Sequence, residues 1–254
     1  MMFKGFIVAL QFLTRICVKR DLHTTEEEFG KSAAFFPVVG LIVGGMQILL
    51  FFALERALPP SILAVFLLLA PVVLTGAFHL EGLSDTADGF LSGRDREGML
   101  RIMKDSHVGT MGMIAVVSLM LAKLVFLYEI VQSLNPSLIV GVLLFVPMLS
   151  RWAMVISAGV SQYARSEPGL GGAFTERVGI KLIILSGLVP VIAAAVYLRI
   201  MGGFYVIITI LTALLASWVS KRKIGGATGD VLGGINEITE VILLFSVILL
   251  NSAI

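Results

Sequence analysis

The chain has 254 residues, 57% of them hydrophobic and 14% charged, and a formal charge of +2. An ordinary soluble domain carries about a quarter charged residues, so this composition excludes one and makes lipid the solvent. Lys and Arg are few and scattered, which excludes a nucleic-acid binder, and the single cysteine, Cys17, excludes an intrachain disulfide and a multi-cysteine zinc site.

Residues 1–32 read as an N-terminal interfacial segment. From Gly5 to Val18 an apolar stretch is interrupted by Gln11, Thr14 and Arg15 and lacks a small-residue cleavage site, so it is expected to remain as an amphipathic helix lying on the membrane. A spanning helix needs about 20 mostly apolar residues. Such stretches occur near 33–54, 61–80, 109–131, 137–159, 180–201, 203–219 and 231–250. The fifth and sixth are separated only by Gly202 and Gly203, and the sixth is the shortest, so the count is seven, or six without it. No repeat and no hydrophilic linker divides residues 1–254. The expectation is one all-α polytopic bundle.

Cytoplasmic loops are enriched in Lys and Arg. A seven-helix arrangement places Lys4, Arg15, Lys19, Arg20, Lys31, Arg94, Arg96, Arg101, Lys104, Arg165, Arg177, Lys181, Lys221, Arg222 and Lys223 on one side, against Arg56 and Arg199 on the other. That asymmetry predicts a cytoplasmic N-terminus, with the polar segments 79–108, 160–179 and 220–230 on the same side. Lys123 and Arg151 fall inside predicted spans, where a charge must be paired or hydrated.

The most informative stretch is Phe78-His-Leu-Glu-Gly-Leu-Ser-Asp-Thr-Ala-Asp-Gly89, at the inner end of the second span. If the helix continues, Glu81, Asp85 and Asp88 lie on one face with neighbours about 5–6 Å apart. Carboxylates so crowded repel, and a divalent cation relieves that. Mg²⁺ suits oxygen donors and phosphate substrates. An acidic helix end paired with Arg94 or Arg101 is the structural alternative. Asp105, in Met103-Lys-Asp-Ser106, is expected to face the same cluster, with Arg94, Arg96, Arg101 and Lys104 near enough to meet phosphate oxygens. The alternative for these bases is simple sidedness. His79 and His107 flank the cluster as ligand, base or spectator.

Two further segments face the same side. In Tyr163-Ala-Arg165 and the glycine-rich residues after it, Arg165 reads as a substrate-gripping residue or as part of a plain connector. The turn 225–230 carries Thr228 and Asp230 and has backbone N–H groups able to approach a phosphate. Within the last span, Glu237 and Glu240 are costly in lipid and mark either a functional interior or pairs with Arg151 or Lys123.

These stretches, together with Phe12-Leu-Thr-Arg15 and Gly109-Thr110, resemble in order the cobalamin synthases, or adenosylcobinamide-GDP ribazoletransferases. The resemblance covers nearly the whole chain. It implies a Mg²⁺-dependent enzyme joining adenosylcobinamide-GDP to α-ribazole or its 5′-phosphate, with GMP released. Asp85, Asp88 and Gly89 look like the first half of the CDP-alcohol phosphotransferase signature, which implies an active site of that type at the cytoplasmic face. Arg94 lies one place beyond that signature's usual arginine, and Asp105 stands alone where the superfamily has two later aspartates, with Glu81 as a substitute. On this reading Asp85, Asp88, Glu81 and Asp105 hold the metal, and Asp105 or Glu81 takes the nucleophile's proton. Arg94, Arg101, Lys104, Ser106, Arg165, Thr228, Asp230, Glu237 and Glu240 then contact substrate. The implied partners are corrinoid and ribazole substrates and the lipid bilayer of the cell inner membrane, with homo-oligomerisation or association with other cobalamin-assembly enzymes left open. Two other functions compete: a CDP-alcohol phosphotransferase of phospholipid synthesis, and an ion-coupled transporter using Glu237, Glu240 and Arg151 as a relay.

Overall fold

The computed structural model describes residues 2–19, 22–167, 169–198 and 200–252. Arg20 and Arg199, used in the charge count above, lie outside the described residues. The described elements are helical: α1 (Met2–Leu13), α2 (Glu26–Lys31), a 3₁₀ turn (Ser32–Phe35), α3 (Phe36–Leu54), α4 (Pro60–Thr75), α5 (Phe78–Leu91), α6 (Arg96–Ile102), α7 (Thr110–Ser133), α8 (Pro136–Val160), α9 (Leu170–Thr175), α10 (Ile180–Leu198), α11 (Ile200–Ile224) and α12 (Gly229–Ser252).

Among the described residues six helical stretches are long and apolar enough to cross a membrane, and α4 with α5 makes a seventh if that bent pair counts as one span. Helix α8 forms the centre of the bundle. It is buried along almost its whole length and packs against α3, α10, α11 and α12. The close pairing with α3 depends on Gly40 and Gly44, whose missing side chains admit the α8 backbone at Pro147 and Leu143. The lipid-facing sides of α7, α10 and α11 are lined with exposed Val, Ile, Leu and Phe, the pattern expected when the solvent is hydrocarbon.

Local signals set the helix ends. Thr25 and Glu28 form a reciprocal capping box at α2. The Asp95 carboxylate caps α6, and the Asn135 side chain caps α8 just ahead of Pro136.

The second span differs from expectation. Its helix stops at Thr75 rather than near residue 80. Gly76 (φ 65°) and Ala77 (φ 62°) both adopt left-handed conformations, and α5 leaves at 88° to α4. A side chain at Gly76 would also strike Arg15, whose Nε would lie 2.0 Å from its Cβ. The residue is thus glycine for two reasons, and the chain turns there. The sixth span is longer than expected: α11 runs over 25 residues, and the break lies before Gly202, which packs directly on the Ala194 carbonyl of α10.

Helix α1 contains an apolar stretch of 11 residues, too short to span. It is pinned by Phe12, which contacts the rings of Phe29, Phe36, Phe78 and Phe174. This aromatic cluster joins α1, α2, α3, α5 and α9 at one end of the bundle. Cys17, just beyond α1, is exposed.

Candidate active site at the carboxylate end of the bundle

Helix α5 carries the acidic stripe. Glu81, Asp85 and Asp88 lie at i, i+4 and i+7 of a continuous helix and therefore share a face. Asp85 has Asp230, Glu81 and Asp88 as like-charged neighbours and Arg165 as an opposing charge. Its helix fits this closely against two others because of glycines. A Cβ at Gly82 would stand 2.7 Å from the Asp230 carbonyl of α12, and one at Gly112 would stand 2.3 Å from both Asp88 Oδ2 and Ser84 Oγ.

Asp88 has a defined structural task. Its Oδ2 accepts the Gly109 N–H and its Oδ1 the Gly112 N–H, each at 2.8 Å. Both donors belong to the start of α7, where backbone N–H groups lack helical acceptors and the helix dipole favours a negative charge. One carboxylate thus fixes α5 to α7, and the remaining lone pairs of its oxygens stay available.

Arg165 joins the other segments. Its Nη2 donates to Asp230 Oδ2 at 2.9 Å and to the Met103 carbonyl at 3.4 Å. The same Asp230 oxygen accepts the Thr228 hydroxyl at 3.2 Å, while Thr228 Oγ1 accepts the Val231 N–H and so caps α12. The 160s segment and the glycine-rich turn are tied by a parallel bridge between Tyr163 and Ala227. In it the Ala227 N–H donates to Gln162 and the Ala164 N–H to Ala227. That N–H of the turn, expected to face a phosphate, is therefore engaged. Arg96 is also engaged: Nε donates to Ile224 O and Nη2 to Ala164 O. It is an anchor between three segments rather than an available phosphate ligand. Beside Arg165 opens a polar cleft of ≈ 570 Å³ lined in part by Gln162, Tyr163, Glu167 and Thr175.

The remaining predicted residues are placed differently. Asp105 follows α6 in a loop, more than half exposed, with Oδ1 bound to the backbone N–H and the Nδ1 of His107. The His107 side-chain hydrogen bond holds its carboxyl below the usual carboxylate range. Among the described residues no three metal-ligating groups come together, so the expected convergence of Asp105 with the α5 acids is not formed in this arrangement. Lys104 pairs with Glu167 at 2.7 Å across the exposed surface and holds that carboxyl below its ordinary value. Arg94, Arg101 and Ser106 are exposed, and among the described residues their side chains make no hydrogen bond or ion pair.

Glu237 and Glu240 lie in mid-bundle, away from the acidic stripe. Lys123 Nζ contacts Glu237 Oε2 and Glu240 Oε2, each at 2.6 Å, and Arg151 Nη1 binds Glu240 Oε1. All four side chains are buried, so the pairing that the sequence offers as an alternative to a functional interior is the one present. Ser150 and Asn236 hydrogen-bond to the same carboxylates. A cavity of ≈ 40 Å³ adjoins them, room for a few waters at about 10–15 Å³ each. His79 reaches toward this network from α5, 1% exposed, with neither ring nitrogen hydrogen-bonded.

As to a cation, every donor on the α5 face is a hard carboxylate oxygen, the class Mg²⁺ takes. Among the described residues no three Asp, Glu, His or Cys groups yet converge on one point. Glu81 and Asp85 carry no side-chain hydrogen bond there that would oppose their turning together.

Sequence reasoning missed the double grip of Asp88 on α7 and the anchoring role of Arg96. The first had a signal: Gly82 and Gly89, seven residues apart on α5, together with Gly109 and Gly112, mark surfaces where helices meet with no room for a side chain.

Comparison with known proteins covers nearly the whole chain. Residues 5–248 match the family model described as Cobalamin-5-phosphate synthase. Among curated relatives, the adenosylcobinamide-GDP ribazoletransferase of Acetivibrio thermocellus is 38% identical over 241 residues, covering 95% of this chain and 96% of the relative. Those of Caldanaerobacter subterraneus subsp. tengcongensis and Clostridium acetobutylicum are also 38% identical, the latter covering 96% of both chains. No solved structure matches the chain. With the acidic stripe of α5, Arg165 and the capped turn before α12 all inside the matched region, the chain belongs to the cobalamin-5-phosphate synthase family.

Proposed function

We propose that this membrane protein joins adenosylcobinamide-GDP to α-ribazole, or to α-ribazole 5′-phosphate, and releases GMP. The observation that carries the reading is the crowding of Asp85 by Glu81, Asp88 and Asp230 opposite Arg165, a residue that also lines a polar cleft. It is supported by relatives of the same length that bear this activity in their names.

In the reaction, a ribazole hydroxyl oxygen forms a bond to the phosphorus attached to cobinamide. The diphosphate P–O bond breaks, and GMP leaves with its electron pair. Arg165, held by Asp230 and lining the cleft, is placed to offset negative charge that grows on the leaving phosphate. Glu81 is placed to accept the hydroxyl proton, being on the acidic face and free of hydrogen bonds among the described residues. Asp105, the other candidate, already accepts two hydrogen bonds from His107. Mg²⁺ would be held by Asp85 and Asp88, which leaves Glu81 free as the base, and when bound it would supply charge neutralisation to the diphosphate. Asp88 keeps α7 in register while doing so.

The site faces the cytoplasm of a cell inner membrane on this reading, because the carboxylate end is also the end rich in Lys and Arg. A transporter relay is not favoured: Glu237 and Glu240 are each locked to a buried cation. Incubating the purified chain with both substrates and Mg²⁺ tests the proposal. GMP and a cobamide product are expected in equal amounts, whereas neither product forming overturns it.

A further inference from the structure

Helices α5, α11 and α12 enclose an apolar crevice of ≈ 370 Å³ on the outside of the bundle. Its walls include Leu211 and Leu215 of α11, Ile235, Ile238 and Ile242 of α12, and Thr86 of α5. Along α12 the lining runs from Val231 to Ile242, about 16 Å at 1.5 Å per residue. Leu211, Leu215, Ile238 and Ile242 are all partly open to the surroundings, so the crevice faces the bilayer. A groove of that length and direction fits an extended acyl chain.

The mouth of the groove is basic. On α11 the lining residues 211, 212, 215, 216 and 219 follow the i, i+4 stripe of one helical face, and the next positions on that face are Arg222 and Lys223. Lys223 Nζ donates to the carbonyl of Phe90, which itself lines the groove. Arg222 lies over the ring of Trp218 at 5.1 Å, and that ring is 55% exposed. Cations beside an exposed Trp at the end of a spanning helix sit at headgroup depth. Basic pockets between spanning helices take anionic headgroups.

We infer that α5, α11 and α12 form a binding site for an anionic glycerophospholipid, with one acyl chain in the groove and its phosphate at Arg222 and Lys223. The inference is independent of the proposed reaction. It also gives lipid composition a route to the active site: Thr86 lies next to Asp85 in the chain, and its hydroxyl is buried with no partner.

Trp218 provides the readout. The purified full-length chain is reconstituted in phosphatidylcholine vesicles with a small fraction of phosphatidylglycerol brominated along its acyl chains, and tryptophan quenching is compared with that by brominated phosphatidylcholine. The other tryptophan, Trp152, is buried and contributes little. Phosphatidylglycerol is expected to associate more tightly, on the order of five-fold for each basic residue. That preference should vanish in the R222Q/K223Q double variant. The Ala216→Phe variant, which keeps both charges but fills the groove, should reduce quenching by phosphatidylglycerol. Equal quenching by the two lipids in the parent overturns the site. So does a preference that survives the double variant, or one that Ala216→Phe leaves unchanged.

Discussion

Arg165 Nη2 lies 2.9 Å from Asp230 Oδ2, and this contact joins the 160s segment to the start of α12 beside the acidic face of α5. Arg165 also lines the polar cleft, and with Nη2 alone engaged its planar fork keeps donors for a second anion. Replacing Arg165 with Gln should therefore lower GMP release by about 10²–10³, as removal of one transition-state donor does. Lys should rescue poorly, because it lacks the fork. A kcat for Arg165→Gln within a few fold of the parent would remove Arg165 from the machinery.

Helix spacing at the site is set by glycine. Gly112→Ala would place a Cβ 2.3 Å from Asp88 Oδ2 and Ser84 Oγ and 2.9 Å from the Ser84 backbone carbonyl, which cannot rotate away, so α7 must shift from α5 and the two N–H donors to Asp88 go with it. Turnover should fall at least ten-fold, with a lower thermal midpoint. Gly45→Ala is the matched control, since nothing lies within 4 Å of its added Cβ. That change should raise stability by about 0.5–1 kcal/mol, the usual effect in a helix. Equal thermal midpoints for the two variants would contradict the packing described.

The buried network makes a stability prediction that distinguishes its two acids. Glu240 pairs with two cations, Lys123 and Arg151, whereas Glu237 pairs with one, Lys123. Glu240→Gln leaves Arg151 without a carboxylate in the interior and should cost about 3–5 kcal/mol. Glu237→Gln should cost less, because Glu240 still neutralises Lys123. Thermal unfolding in one detergent orders the two variants. If Glu237→Gln is the more damaging, the network is organised differently.

Much of this was readable from residue pattern. Seven apolar runs marked the bundle, and the i, i+4, i+7 spacing of Glu81, Asp85 and Asp88 placed three acids on one face because α5 is helical throughout. What failed was the continuity of α4 into α5. Periodicity is blind to a turn made by Gly76 followed by a non-glycine residue at positive φ, and only tertiary contact with Arg15 shows why the chain bends there. The Lys123 and Arg151 pairing was posed as one of two readings, and choosing between them needed the rotation of α7 and α8 about their axes. Asp105 was expected to face α5 because two adjacent helices running in opposite directions would bring their acids together, but it lies in the exposed loop after α6, bound to His107.

Sidedness rests on charge, and it is testable apart from chemistry. A reporter inserted at Asn135, between α7 and α8, should read as external, and one at Glu167 as cytoplasmic. A reporter at Ile254, outside the described residues, should read as external for seven spans. An internal signal there, with Asn135 external, would mean an even number of crossings and a different disposition of the α4–α5 bend.

The central claim is that the α5 carboxylates perform the transfer, and Asp85 tests it most directly because it makes no structural hydrogen bond among the described residues, unlike Asp88. Asp85→Asn keeps the shape and removes the charge. The measurement is GMP release from adenosylcobinamide-GDP and α-ribazole against Mg²⁺ concentration, for parent and variant in the same lipid, with thermal midpoints recorded alongside. The account predicts a folded variant with turnover down by at least about 10², a loss of the size seen when one transition-state contact is removed, and with the response to Mg²⁺ lost or moved to much higher concentration. Parental turnover with an unchanged Mg²⁺ dependence would contradict it.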